Sequence, residues 1–266
     1  MNFTDYINNL NLSDKRTKNI IYTFNKYLDI FDEVIHKDIL KNIFNREIYP
    51  TDSQIKNLLG VFIHYSNYLG RSPTKLQNEL KKINLKMTEG YKERNKELKK
   101  TLPTLKELQQ FNLQNYKDKR FRAFIINYLL LNYGVRNKDL NLIITRISKN
   151  LDKTKNYLVV RKNTINYIRN DYKTKNVYNS KKNVIKSLRL LEAAEELLGD
   201  KDHVSLLQNT INLGQEIQKY TYNNLLEGDI FKIVVSSKKK LKDIENITNK
   251  RGSSVNAVIS NYNLNV

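Results

Sequence analysis

Apolar residues recur at three- and four-residue spacing through much of the first half of the chain, the mark of helices that bury one face. The segments "TDSQIKNLLGVFIHYSNYLG" (51–70) and "SPTKLQNELKKI" (72–83) carry this period. Thr51 with Gln54, and Thr74 with Gln77, have the separation of a capping box, in which two orphan donors of a helix start are satisfied reciprocally. Ser13 is an N-cap candidate for the segment that follows it. Pro50 and Pro73 punctuate the breaks. The stretch "TEGYKERNKELKK" (88–100) has little apolar surface and reads as a charged linker helix. In "TLPTLKELQQF" (101–111), Pro103 precedes Thr104 and Glu107 follows at capping-box spacing, so a new helix starts there. The boundary placed at this point gives a helical domain over 1–100 and a second domain over 101–266.

After that helix comes "DKRFRAFIINYLLLNYG", a long apolar helix closed by Gly134, the residue type expected just past a helix end. From 143 the period shortens. "NYLVVRKN" (156–163) and "TINYIRNDY" (164–172) carry β-branched and aromatic residues and read as strands joined by a Lys162-Asn163 turn; "KKNVIKS" (181–187) is a candidate third strand. From Leu188 to Val266 the pattern is helical again, through "LRLLEAAEELLG", "VSLLQNTINLGQEIQKYTYNNLL", "DIFKIVVSSKKK", "LKDIENITNK" and "SVNAVISNYN". The expected fold is mainly α with a small antiparallel sheet, an α+β class, without internal repeats.

Composition narrows the function. The chain has 266 residues, 39% of them apolar, and no apolar run approaches the length of a membrane span. Its first residues, MNFTDYINNLNLSDKRTK, lack the apolar core of a secretory signal. An intracellular protein is expected, in the cytosol, the nucleus or a viral factory or virion. Cysteine is absent and the 3 histidines, His36, His64 and His203, are far apart, so neither a metal site nor a catalytic thiol is expected. Lys+Arg exceeds Asp+Glu by 47 − 27 = +20. Such an excess favours a polyanion, because neutralising phosphates releases condensed counterions. An anionic membrane surface is the competing partner, but no basic amphipathic terminal segment supports it. The abundance of Asn, Lys, Ile and Tyr is that of an AT-rich genome; such a bias raises Lys without explaining why acids lag behind.

The order of parts then becomes informative: "LPTLKEL", a basic segment, an apolar helix, "YGVRNKDLNLI", a small sheet, and a helical C-terminal part with a tyrosine near its end. This resembles the tyrosine recombinases of the phage-integrase type, over about residues 10 to 266. The family's first catalytic arginine follows an apolar helix in a Thr-Gly-Leu-Arg motif with Glu-Leu after a polar pair. Here the residues are Tyr133-Gly134-Val135-Arg136-Asn137-Lys138-Asp139-Leu140. The departures from the family pattern point to a virus or mobile element.

The resemblance implies a helical core-binding domain followed by a catalytic domain, the two clamping duplex DNA. It implies attack by a tyrosine oxygen on a phosphodiester, leaving a 3′-phosphotyrosine, with no metal or other cofactor. Arg136 would hold the non-bridging oxygens with its guanidinium fork; read alone, it is also an ordinary arginine beside a helix C-terminus. A lysine near the sheet donates a proton to the departing oxygen in the family, and Lys173 is the better match, with Lys175 beside it. The family's His-x-x-Arg is replaced. Asp229 and Lys232 fall at that place, and Lys232 offers charge without a bidentate fork. The same stretch also reads as an amphipathic helix with Phe231, Ile233 and Val234 in the core. Arg251, eleven residues before Tyr262, takes the place of a histidine that precedes the nucleophile. Tyr262, four residues from the end, is the candidate nucleophile. Asp139 is a supporting candidate.

The expected partner is double-stranded DNA, with self-association as a dimer or tetramer on it. Expected phosphate contacts are Lys75, Lys81, Lys119, Arg120, Arg122, Lys162 and Arg169. Two readings share this clamp: a site-specific recombinase or integrase, and a DNA-binding protein of the same fold that has lost cleavage, favoured by the missing His-x-x-Arg. A helical nucleic-acid-binding protein unrelated to the family is the third.

Overall fold

A computed structural model describes residues 2–172 and 180–265. The chain forms two compact units, Met1–Tyr91 and Lys92–Val266. The first contains α1 (Phe3–Asn8), α2 (Asp14–Phe31), α3 (Ile39–Ile43), α4 (Asp52–Tyr68) and the start of α5 (Thr74–Thr101). Its core is aromatic. Phe3 packs on Phe24 with ring centroids 4.5 Å apart, and Tyr27 meets Phe62 edge-on at 4.6 Å. Each such fully buried ring stabilises the fold by about 1.5–3 kcal/mol relative to exposure. Thr51 caps α4 as its spacing predicts: the Gln54 N–H donates to Thr51 Oγ1 at 3.3 Å, and the Thr51 N–H to Gln54 Oε1 at 3.1 Å. Ser13 sits at the N-cap of α2 in extended conformation without a side-chain cap bond.

The segments expected as separate helices at 72–83 and 88–100 are one continuous helix of 28 residues. The intervening Asn84-Leu85-Lys86-Met87-Thr88 contains no breaker, and Gly90 alone costs only about 1 kcal/mol in a helix. Thr74 is the first helical residue and not a cap; its N–H reaches Ser72 Oγ at 3.4 Å. The division between the units falls inside α5, after Tyr91, and not at residue 100.

The second unit is built round α7 (Phe121–Tyr133), which follows α6 (Leu105–Lys117). The capping box of α6 forms at Thr104 and Glu107. Helix α7 buries Ala123, Phe124, Ile125, Ile126, Leu129 and Leu130, so it is apolar nearly all round and central. A five-stranded sheet of order β4-β3-β2-β1-β5 belongs to the same core, made of β1 (Leu142–Thr145), β2 (Asn156–Val160), β3 (Ile165–Arg169), β4 (Lys181–Ile185) and β5 (His203–Ser205). The three expected strands are β2, β3 and β4, paired antiparallel, and the Lys162-Asn163 turn closes with Arg161 N–H on Thr164 O at 2.9 Å. β1 and β5 are added to them; β1 runs parallel to β2, so the sheet is mixed. Strands of 4 and 3 residues are too short to show a period.

The C-terminal helices are α8 (Leu188–Leu198), α9 (Leu213–Gln218), α10 (Glu227–Ser236), α11 (Leu241–Arg251) and α12 (Val255–Tyr262). The stretch expected as one helix from Val204 to Leu226 is broken. Val204 lies in β5, and only the short α9 and a 3-10 turn follow. Asparagines cause this, since their side chains compete for backbone groups. The Ile211 N–H donates to Asn209 Oδ1 at 2.9 Å, the Gln215 N–H donates to Asn212 Oδ1 at 3.2 Å, and Asn223 and Asn224 are left-handed at φ 46° and 55°.

Gly134 ends α7 in the left-handed conformation, φ 55° and ψ 34°. A Cβ there would lie 2.6 Å from Phe231 Cε2 and 3.3 Å from Ile247 Cγ1. Both φ and space therefore demand glycine. Gly134→Ala should destabilise the second unit by about 2–5 kcal/mol, combining left-handed strain with overpacking; a change below about 1 kcal/mol in urea unfolding would contradict this packing.

Candidate functional site

Two helix ends meet where Arg136 lies. Helix α7 stops at Gly134, and α11 stops at Gly252, which is also left-handed at φ 72°. The last carbonyls of a helix have no partner within it and carry its negative partial charge. Here each end is capped by an arginine from the other. Arg136, just past α7, donates through NH1 to Arg251 O at 3.0 Å and through NH2 to Ser253 Oγ at 2.8 Å. Arg251, the last residue of α11, donates through NH1 to Gly134 O at 2.6 Å. Lys181 adds a bond to Asn249 O at 2.6 Å, and Arg169 one to Lys250 O. The carbonyls of Asn249, Lys250 and Arg251 thus take bonds from Lys181, Arg169 and Arg136 in turn. The backbone finishes the end: Gly252 N–H reaches Asn249 O at 3.2 Å and Ser253 N–H reaches Thr248 O at 3.1 Å, the two bonds of a Schellman motif.

Two carboxylates hold this cationic group together. Asp139 accepts the Arg136 backbone N–H at 3.0 Å and pairs with Arg169 at 3.4 Å, both side chains fully buried. Glu227, at the start of α10, pairs with Arg251 at 2.6 Å. One turn on, Phe231 carries the Arg251 guanidinium over its ring at 3.9 Å. Tyr262 completes the cluster, its ring edge-on to Phe231 at 5.0 Å and 5.4 Å from the Arg251 guanidinium. Arg136 and Tyr262, far apart in sequence, are both half-buried. Burial pushes the Arg136 guanidinium below its usual pKa and Arg251 adds to this, while Asp139, Glu227 and Tyr262 oppose it. Burial likewise lowers the pKa of Lys181, helped by Arg169 and Arg136.

The structure therefore brings together Arg136, Asp139, Arg251 and Tyr262 from among the expected site residues. Arg251 is only 3% exposed and is occupied by Glu227 and Gly134 O, so it supports the site from beneath. Lys232 is not in the cluster. It pairs with Asp229 at 3.2 Å. At about 100° per residue, Glu227 and Phe231 share one face of α10, while Asp229 and Lys232 lie on another. Lys173 and Lys175 lie outside the described residues. Of the expected phosphate contacts, Lys75, Lys81, Lys119, Arg120 and Lys162 are exposed. Arg122 is half-buried and donates to Ser205 O at 2.8 Å and to Leu206 O. Arg169 departs from the expected surface position. It is wholly buried against Asp139, so it cannot touch DNA.

Glu227, Phe231, Ser253 and Lys181 were not among the expected site residues. The i, i+4 spacing of Glu227 and Phe231 and the Gly252 stop after Lys250-Arg251 were the available signals. Lys181 had none beyond its place in a strand.

No family model and no curated protein matches the sequence. Among solved structures, the crystal structure of XerA recombinase is similar at 14% identity and a TM-score of 0.36, over 98% of this chain and 91% of its own. No helix among the described residues is long and apolar enough to cross a membrane.

Removing Arg251 would leave Glu227 and the α7 carbonyl without their cation. Arg251→Ala should destabilise the unit by about 3–5 kcal/mol, read by denaturant unfolding; a loss under about 1 kcal/mol would remove Arg251 from its supporting role. Burial also pushes the Asp139 carboxyl above the usual carboxylate range, against the lowering pull of the Arg136 N–H and Arg169. The folded state then holds this proton to higher pH than the unfolded chain does. Its contribution is present below the unfolded pKa and is lost as pH rises through the folded one. The stability of wild type relative to Asp139→Asn should fall as pH rises from about 4; a flat or rising difference would refute the assignment.

Proposed function

We propose that the chain is a DNA-binding protein of the tyrosine-recombinase type, with Tyr262 as nucleophile and Arg136 as the guanidinium that receives the phosphate. The observation that carries this reading is the gathering of a half-buried Arg136 and a half-buried Tyr262 around one helix end, braced by Arg251 and Phe231. In the proposed step, Tyr262 Oη bonds to phosphorus and the bond to the 5′-oxygen breaks. The tyrosine proton passes to solvent and the departing oxygen gains one, with Lys173 as donor. Arg136 is fixed by Ser253 and the Arg251 carbonyl, so it need not reorganise as charge builds on the non-bridging oxygens. The net charge of +20 supports duplex DNA as partner.

A second reading has specific support. Lys232 is paired with Asp229 on another face of α10 and Arg251 is buried, leaving Arg136 as the half-exposed guanidinium among the described members. A site reduced in this way fits a protein that binds DNA without cutting it. Nicked or phosphorothiolate duplexes that trap a covalent intermediate separate the two. The expected result is a protein–DNA band on a denaturing gel, absent in Tyr262→Phe and reduced about 10²–10³-fold in Arg136→Ala. Binding that weakens steeply with salt but yields no band would establish the cleavage-free reading. A band that survives in Tyr262→Phe would remove Tyr262 as nucleophile.

A further inference from the structure

The opposite end of α7 carries a cleft that the Arg136 cluster does not use. Helix α7 has 13 residues, so its two ends are about 20 Å apart. The cleft measures about 380 Å³ and is walled by residues before and within the first turn of α7, by Leu197 of α8 and by the segment after α9. Three observations converge there. First, α7 begins without a side-chain cap on its N-terminal N–H groups, and Phe121, Arg122 and Ala123 of that first turn line the cleft. Uncapped N–H groups and the positive end of the helix dipole favour an anion. Second, Lys119, Arg120 and Lys219 stand at the cleft, all exposed; among the described residues Arg120 meets the exposed Asp118 at 4.0 Å and Lys219 pairs with the buried Glu216 at 2.9 Å. Third, Asn115 lines the same cleft at 3% exposure, and its side-chain nitrogen has no partner among the described residues. A buried amide donor left unpaired is destabilising, and a ligand acceptor in the cleft would remove that cost.

The apolar part of the wall decides the class of anion. Phe111, Phe121 and Tyr220 face the cleft beside the cations. Aromatic rings next to phosphate-binding groups are what an unpaired base with its phosphate requires, since every base has a stacking face. A stacked duplex offers no such face. We propose that this cleft binds the phosphate and base of a single nucleotide, either free or at the single-stranded end of a nucleic-acid chain. The phosphate sits at the α7 N-terminus among Arg120, Lys119 and Lys219, Asn115 donates to the ligand, and the base lies against the rings. The assignment does not depend on Tyr262 chemistry.

The test uses the full chain and three probes: adenosine 5′-monophosphate, inorganic phosphate, and a short single-stranded oligonucleotide with or without a 5′-phosphate. Binding is read from the Asn115 side-chain amide resonance and from fluorescence anisotropy of the labelled oligonucleotide. Saturable binding of the mononucleotide assigns a free nucleotide; binding that requires the 5′-phosphorylated oligonucleotide assigns a chain end. In either case Asn115→Asp should weaken binding at least about tenfold. Arg120→Glu, at an exposed position, should do the same, and it keeps the test decisive if the Asp variant does not fold. Failure of every probe to move the Asn115 resonance, equal affinity for inorganic phosphate and nucleotide, or wild-type binding by the folded variants would each overturn the proposal.

Discussion

The exchange of arginines between the ends of α7 and α11 is the constraint on which the rest of the second unit depends. Two helix C-termini converge, and both bring negative partial charge and unsatisfied carbonyls into a dry place. Arg136 and Arg251 cross over to satisfy them, each bonding to the backbone beside the other's helix. Neither bond can be lost alone without leaving a buried carbonyl or cation unpaired. The arrangement works only because both helices stop at left-handed glycines, which turn the chain within one residue.

This sets the electrostatics of the candidate site. The cations attract phosphate, but the helix ends beneath them repel it. Removing an arginine would therefore do more than delete an attraction, because the repelling carbonyls would then be uncovered. Asp139 holds Arg169 and the Arg136 backbone N–H, Glu227 holds Arg251, and the Arg136 side chain stays half-exposed. The result is a fixed cation whose partners are mostly backbone atoms, a suitable receptor for an anionic oxygen.

Much of this was legible in the chain, for reasons that are local. Thr51 and Thr104 announce their helices because a capping box is closed within four residues. The apolar run before Gly134 announces α7 and its stop. What was not legible depends on distant partners. Arg169 reads as a surface cation in a lysine-rich chain, and its burial follows from Asp139, thirty positions earlier on another element. Asp229 and Lys232 matched a spacing, but the face of α10 that meets Arg251 is set by Glu227 and Phe231. The break across 204–226 leaves no mark on the apolar periodicity, because the asparagines that divert the backbone act through their side chains.

The closeness of Gly134 to the Phe231 ring has a consequence for how such a chain can diverge. The two positions share one volume, so neither can change independently. A relative with a side chain at the first position must carry a smaller residue at the second, and a smaller ring-position residue would withdraw the surface on which Arg251 and Tyr262 both rest. Drift at a helix stop is thereby tied to the shape of the site, and the glycine would be retained for as long as the aromatic shelf is needed.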